Sequence, residues 1–493
     1  HCLASCLAMR SLFYLVLAAF IAPVSGMYVP DVRLPYENRT FTSLSVDDFL
    51  SSSKNRFKNK NLQRLFTNTL PNTLDTTIFS YDLDPKSPDT FIITGDIDAM
   101  WLRDSCNQVL PYMRFISTDD ALRDLMTGLV VRMSKSVLVD SYANAFNFDS
   151  SQETDHADDV RTPPMANATF EGKYELDSLA AFLKLSRSVY AENEEVFDGD
   201  GIYASWLQAV ETTAATIRRQ QMSTSEEAES REGPAYTFSR FTTEATDTLM
   251  QNGKGTPCAR TNMSKCMFRP SDDATTLPFL VPANAMAVVE LRETVKVIVS
   301  QLKRKADTGR INVYPIIDEL TDLADGIDEG IQTWGKIVHP ITKKEVYAYE
   351  VDGYGNFIFM DDANIPSLLA LPYLGYVEKS DPVYLNTREA VLSEVTNPFF
   401  FKGRAGEGVG GPHQGYGMIW PMGITVRALT STNETEIKEC LKTLVDATAH
   451  TGFMHESYWK NDASDFTRTW FAWANSLFGE LIMTLMDEHP ELL

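Results

Sequence analysis

The sequence predicts an all-α protein, an α/α toroid whose loops gather into a site at its mouth. Three observations predict it. Apolar residues recur at helical spacing along most of the chain, long polar and aromatic loops separate those runs, and no dinucleotide fingerprint or P-loop is found. Leu122, Leu125, Met126, Leu129, Val130 and Met133 share one face, as do Leu176, Leu179, Ala180 and Leu183. The pattern returns at Val288, Leu291, Val295, Ile298 and Leu302, and again at Ile316, Leu320, Leu323, Ile327 and Ile331. A last amphipathic stretch runs from Trp470 to Ile482, and Cys440 sits at helical spacing as a packed thiol would.

Residues 1–26 are expected to be upstream residues and a secretory signal peptide. Arg10 precedes the apolar run from Leu12 to Val24, and Val24 and Gly26 supply the small residues of a cleavage site. Residues 27–493 then form a single domain, because no Pro- or Ser-rich linker divides them. No later segment approaches spanning length, so no membrane span is expected in the mature chain. Export to the extracellular space, the cell wall or the vacuole would place Cys258 and Cys266 in an oxidising setting. Their short polar loop is expected to close as a disulfide. Sequons at Asn38, Asn167, Asn262 and Asn433 agree with export.

Among 493 residues, 44 are basic and 67 acidic, a net charge of −23. That charge repels nucleic-acid phosphates and anionic headgroups, and excludes both as expected partners. With 44% hydrophobic residues the chain buries a sizeable core and is not a disordered tail.

Five loops carry the candidate chemistry: TGDIDAMWLRDS (Thr94 to Ser105), RPSDDA (Arg269 to Ala274), YEVDGYGN (Tyr349 to Asn356), MDDANIPS (Met360 to Ser367) and MHESYW (Met454 to Trp459). Each combines carboxylates with aromatic rings or polar donors. A neutral polyhydroxylated ligand needs these groups: acceptors, Arg and Asn donors, and flat apolar rings. For any one carboxylate a helix cap or surface ion pair is the commoner role, and Asp272-Asp273-Ala274 could simply open the next helix. Adjacent aspartates at Asp272/Asp273 and Asp361/Asp362 could bind calcium, though neither has the alternating ligands of an EF-hand. MHESYW lacks the second His of a zinc H-E-x-x-H motif, and no G-x-S-x-G elbow is present.

Paired carboxylates remain. Glycoside cleavage needs one protonated carboxyl for the leaving oxygen and one carboxylate as base or nucleophile. Asp272 has a route to a raised pKa through Asp273, opposed by Arg269. Glu456, among His455, Tyr458 and Trp459, is a second candidate. Residue chemistry alone does not select this pair from 67 acidic residues.

The same loops, with ETDH (Glu153 to His156), KYELDS (Lys173 to Ser178) and TRTWFAWAN (Thr467 to Asn475), occur in an order that resembles glycoside hydrolase family 125. The resemblance runs from about Asn61 to Met486. It implies an (α/α)6 barrel and a metal-independent, cofactor-free, inverting exo-α-1,6-mannosidase. Such an enzyme removes non-reducing mannose from mannan or N-glycan chains, here as a monomer and a secreted fungal member. Carried over by motif, Asp272 is the general acid and Glu456 the general base. Trp101, Arg103, Asp104, His156, Asp273, Asp352, Asn356, Asp362 and His413 are implied substrate contacts. Two features depart from the family pattern: Asp98 stands where the family has Pro, and the Ser223–Ser264 loop is enlarged. A calcium-dependent α-mannosidase, another α/α-barrel glycosidase and a non-catalytic glycan-binding cell-wall protein stay open as alternatives. Inversion predicts carboxyls about 6.5–9.5 Å apart.

Overall fold

The computed structural model describes residues 28–84, 86–152, 154, 156–304 and 312–493. The expected signal peptide lies outside the described residues, as do Glu153 and Asp155 of the ETDH motif. The longer helices are α1 (Leu44–Ser53), α2 (Lys60–Thr69), α3 (Leu102–Val109), α4 (Asp120–Val139), α5 (Leu176–Glu192) and α6 (Asp200–Arg219). They continue with α7 (Val281–Arg304), α8 (Tyr314–Gly330), α9 (Pro382–Val391), α10 (Pro421–Leu429), α11 (Glu434–Asp446) and α12 (Ala472–Glu488).

Local chemistry sets where these helices start. Asp119 caps α4 by accepting from Leu122 N at 3.1 Å, and Asn433 caps α11 by accepting from Thr435 N at 2.9 Å. Pro315 and Pro382 occupy first-turn positions of α8 and α9, where the missing N–H costs nothing. Burial then sorts the helices. Every residue of α3 is buried, and α5 and α12 are covered nearly all round, whereas α4, α8 and α11 keep a polar outer face. α3 packs on α5 and α12, α5 on α7, and α10 on α12. Outside them, α4 lies on α5 and α6, α8 on α7, and α11 on α10. Between α9 and the MDDANIPS loop, Leu368 to Leu371 are as buried as the inner helices but form turns. Pro366 and Pro372 deny that segment a regular helix. Asp361 accepts instead from Leu368 N at 2.7 Å and Leu369 N at 2.9 Å.

The chain is mostly helical, as expected, with short strands in the loops. β1 (Met100–Trp101), β2 (Ala145–Phe146) and β3 (Thr169–Glu171) form one antiparallel sheet with β2 central. β4 (Phe279–Leu280), β5 (Glu350–Val351) and β6 (Phe357–Ile358) form a second around β5. β7 (Met418–Ile419), β8 (Tyr458–Trp459) and β9 (Asp462–Phe466) form a third around β8. Loop backbone buried at this depth must pair its N–H and C=O groups, and these ladders do so. Two-residue strands carry no alternating pattern, so periodicity does not reveal them. β1 runs directly into α3 and β4 into α7, while β7 reaches α10 through Trp420. The motif loops therefore sit at the N-terminal ends of inner helices.

The expected disulfide is corrected: Cys106, Cys258, Cys266 and Cys440 are free, buried thiols. Tertiary contacts draw the two loop cysteines to different places. Cys266 Sγ accepts from Leu176 N at 3.3 Å at the start of α5, while Cys258 N donates to Thr224 Oγ1 at 2.9 Å. Among the described residues no helix is long and apolar enough to cross a membrane.

Candidate active site

The RPSDDA loop does not open a helix, since α7 begins only at Val281. It is a tight turn in which Arg269 N donates to Asp273 O at 2.7 Å and Asp272 N donates to Arg269 O at 2.9 Å. Asp272 takes a left-handed φ of +68°, a conformation that costs a non-glycine residue about 1–3 kcal/mol and needs surrounding support. Lys173 supplies part of it, donating from Nζ to the Asp272 carbonyl at 2.8 Å. Arg269, expected to oppose a raised Asp272 pKa, turns away to Glu350 at 2.7 Å.

The cation beside Asp272 is Arg103, 3% exposed and delivered by the β1–α3 junction. Its Nη2 reaches Asp272 Oδ1 at 3.1 Å and Asp104 Oδ2 at 3.2 Å. Its Nη1 reaches Glu175 Oε2 at 2.5 Å and Asp177 Oδ2 at 3.4 Å. Asn144 Nδ2 donates to Glu171 Oε2 (2.9 Å), Glu175 Oε1 (3.1 Å) and Asp272 Oδ1 (3.3 Å). Burial would raise the Asp272 pKa. Arg103, a hydrogen bond with Glu175, Lys173 and His413 outweigh it and hold that carboxyl well below the usual range. Its neighbours move the other way. Burial, only partly offset by Arg103, pushes Asp104 and Asp177 up to about 6 and Glu175 well above the ordinary value. The expected route to a raised Asp272 pKa through Asp273 is thus reversed by Arg103.

The opposite wall is built by the MHESYW loop and the residues before α12. Glu456, 4% exposed, accepts at Oε2 from Thr467 Oγ1 (2.9 Å) and Gln414 Nε2 (3.0 Å), with Arg468 Nε at 3.6 Å. None of these contacts involves Oε1. His455 points elsewhere, stacked on Phe466 with ring centroids 3.8 Å apart and its Nδ1 on Arg468 O at 2.7 Å. His413 joins the walls, with Nδ1 3.4 Å from Asp273 Oδ1. Burial disfavours its cation, but the bond to Asp273 and the charges of Asp273, Asp272 and Glu456 push its pKa up to about 9.

Asp272 and Glu456 line one small cavity of about 60 Å³. Trp101, Arg103, Asp104 and His413 line it too, as the sequence expectations placed them. Asp273 lies behind, bonded to Ser271 Oγ at 3.1 Å and to His413. Asp362, 1% exposed, accepts from Asn364 Nδ2 at 3.0 Å and so positions Asn364, which does line the cavity. Asp352 and Asn356 do not reach it. Asp352 accepts from Asn356 Nδ2 at 2.6 Å and from Tyr354 N at 2.8 Å, closing the YEVDGYGN turn on itself. His156 stands aside, 3.7 Å from Glu171 and edge-on to Phe170. Asp98 is exposed next to Ile97, which lines the cavity.

The rings are partly reassigned. Tyr458 and Trp459 pair in the third sheet and stay outside the lining, where Trp420, Phe471 and Trp473 join Trp101. Sequence reasoning left Asn144, Glu175, Gln414, Thr467 and Arg468 without roles. Glu175, Thr467 and Arg468 at least fell inside motifs that signalled them, KYELDS and TRTWFAWAN.

The sequence profile of the metal-independent α-mannosidases, glycoside hydrolase family 125, matches residues 59–483. The chain belongs to that family. Family 125 membership makes it a glycoside hydrolase, an α-mannosidase. A Schizosaccharomyces pombe relative, the meiotically up-regulated gene 157 protein, is 43% identical over 476 residues, 94% of this chain and 90% of its own. A family 125 structure from Streptococcus pneumoniae, solved as a non-productive complex with α-1,6-mannobiose, is 35% identical with a TM-score of 0.82. The match covers 91% of this chain and 99% of that one. A bacterial glucoamylase complexed with acarbose shares the fold at 14% identity and a TM-score of 0.51, over 90% of this chain and 59% of its own.

Proposed function

We propose that this family 125 enzyme is an inverting exo-α-1,6-mannosidase with Asp272 as general acid and Glu456 as general base. The observation that carries it is the pairing of these two carboxyls on one small cavity. Trp101, Phe471 and Trp473 offer apolar faces to a sugar ring, while Asp104, Asn364 and Arg468 offer acceptors and donors to its hydroxyls. Asp272 protonates the glycosidic oxygen. Glu456 Oε1, left free by the three contacts on Oε2, takes a proton from the water attacking C1. Attack opposite the leaving group inverts the anomeric centre. The α-1,6 linkage is supported by the ligand of the Streptococcus pneumoniae relative.

In the same proposal, residues 27–493 are a single catalytic domain on an (α/α)6 barrel, a reading supported by the order in which α3, α5, α7, α10 and α12 pack. The enzyme is an exported monomer acting on mannan or N-glycan chains.

Incubation with α-1,6-mannobiose, followed by NMR of the released sugar, tests this. β-Mannose appears first if the proposal holds. Initial α-mannose would overturn inversion, and no release would overturn the linkage. Glu456→Gln is expected to lower kcat roughly 10²–10⁴-fold while keeping mannobiose binding measurable by calorimetry.

A further inference from the structure

Four carboxylates, those of Asp104, Glu175, Asp177 and Asp272, crowd a single buried guanidinium. The two inner carboxylates, Glu175 and Asp177, are shut off from water with Arg103 as the cation that reaches both, and this favours a proton held within the cluster. Where that proton resides matters, because Asp272 is the carboxyl that must deliver one.

Glu175 and Asp272 share their donors. Arg103 spans both through its two terminal nitrogens, and Asn144 Nδ2 donates to both. Glu175 is the inner member: its side chain is 0% exposed against 23% for Asp272. Charged groups meet Glu175 from each element packed around it. Arg103 comes from α3, Asp177 from α5, which Glu175 immediately precedes, Asp272 from the RPSDD turn, and Glu171 on β3 through the shared Asn144. Asp104 and His413 act on Asp272 instead. Lys173 is engaged with the Asp272 carbonyl, Asp247 and Glu171, and the nearby Cys266 thiol is pushed up by burial.

We propose that Glu175 is the proton store of the reaction, a positioning residue that holds the catalytic proton behind Asp272 and passes it forward when a sugar fills the cavity. This inference rests on Asp272 being the general acid. In the free enzyme the proton lies on Glu175 and Asp272 is ionised, which agrees with the opposite directions in which the two groups are shifted. Bound sugar displaces water from Asp272. One proton then moves from a Glu175 oxygen to an Asp272 oxygen, leaving Glu175 ionised against Arg103. Asp272 gives that proton to the glycosidic oxygen as the C1–O bond breaks, and the aglycone leaves as an alcohol. Glu456 takes a proton from the attacking water as the new C1–O bond forms. Glu456 then loses this proton to solvent, Glu175 regains one, and no charge is left over.

The test compares wild type, Glu175→Gln, Ser178→Ala and Asp272→Asn on α-1,6-mannobiose across pH, with infrared spectra of the free proteins at neutral pH. Glu175→Gln is expected to lower kcat roughly 10²-fold with little change in KM, and to move the alkaline limb of kcat to lower pH. The C=O stretch of protonated carboxyl should be weaker in Glu175→Gln than in wild type, the remainder coming from groups such as Asp361, whose pKa burial pushes up to about 8. Ser178 Oγ donates to Glu175 Oε2 at 2.9 Å and favours its ionised form. Ser178→Ala should therefore move the limb upward, which keeps the test decisive if Glu175→Gln fails to fold. A wild-type limb in either variant, or an infrared band undiminished in Glu175→Gln, would overturn the proposal. Full activity in Asp272→Asn would sink the general-acid assignment itself, a separate outcome.

Discussion

The two walls of the cavity solve opposite problems with the same residue type. On the acid wall, Asp272 stands among Asp104, Glu175 and Asp177 around one arginine, and geometry is held by charge. On the base wall, Glu456 meets a hydroxyl, an amide and a peripheral guanidinium, and geometry is held by close backbone approach. The glycines of GGPHQGYG permit that approach. Gly417 lies so near the Trp459 indole that a Cβ there would stand 2.0 Å from it, and a Cβ on Gly410 would stand 2.1 Å from Met418 O. In the proposed mechanism the proton donor stands where protons are retained, and the acceptor is fixed mainly by neutral donors and shape.

Removing Arg103 should break this contrast most. Arg103→Met leaves four buried carboxylates facing one another, and is expected to destabilise the fold by roughly 3–5 kcal/mol at neutral pH. The loss should shrink in mild acid as those groups take protons. Urea denaturation at two pH values measures it, and a pH-independent loss would mean that packing, not charge, holds the acid wall. Gly417→Ala probes the other side. Its φ of +89° and the indole contact make any side chain costly, so stability should fall by about 1–3 kcal/mol, with a lower Tm by calorimetry. An unchanged Tm would show that shape does not hold the base wall.

His413 gives the smallest effect and sharpens the comparison by pH. Its pKa, about 9 in the folded chain, lies above the ordinary value of about 6.5. Its bond to Asp273 therefore stabilises fully below the unfolded pKa and is lost as pH rises through 9. His413→Gln should cost ~1 kcal/mol near pH 6 and nothing near pH 10. An equal cost at both would show that the cation plays no part in joining the walls.

Much of this was legible in the sequence, for identifiable reasons. Helical periodicity located α4, α5, α7, α8 and α12, because a face buried against neighbours must repeat with the turn of the helix. Loops dense in Asp, Asn and aromatics marked the cavity, and Trp101, Arg103, Asp104, Asp272 and Glu456 from those motifs line it. Asp352 and Asn356 misled because a carboxylate and an amide four residues apart serve a turn as readily as a ligand. Tyr458 and Trp459 misled because adjacent residues of a strand point to opposite faces, and neither faces the cavity.

By itself, then, the sequence determined the helices, the family and the loops that form the cavity, since these depend on local period and on motifs contiguous in the chain. Only the tertiary structure decided which cation meets Asp272 and where the cysteines go. Arg103, Asn144, Glu175 and Asp272 are brought together from four separate segments. The electrostatics of a buried group depend on what is packed within a few ångströms of it, and that distance is set by the fold rather than by position in the chain.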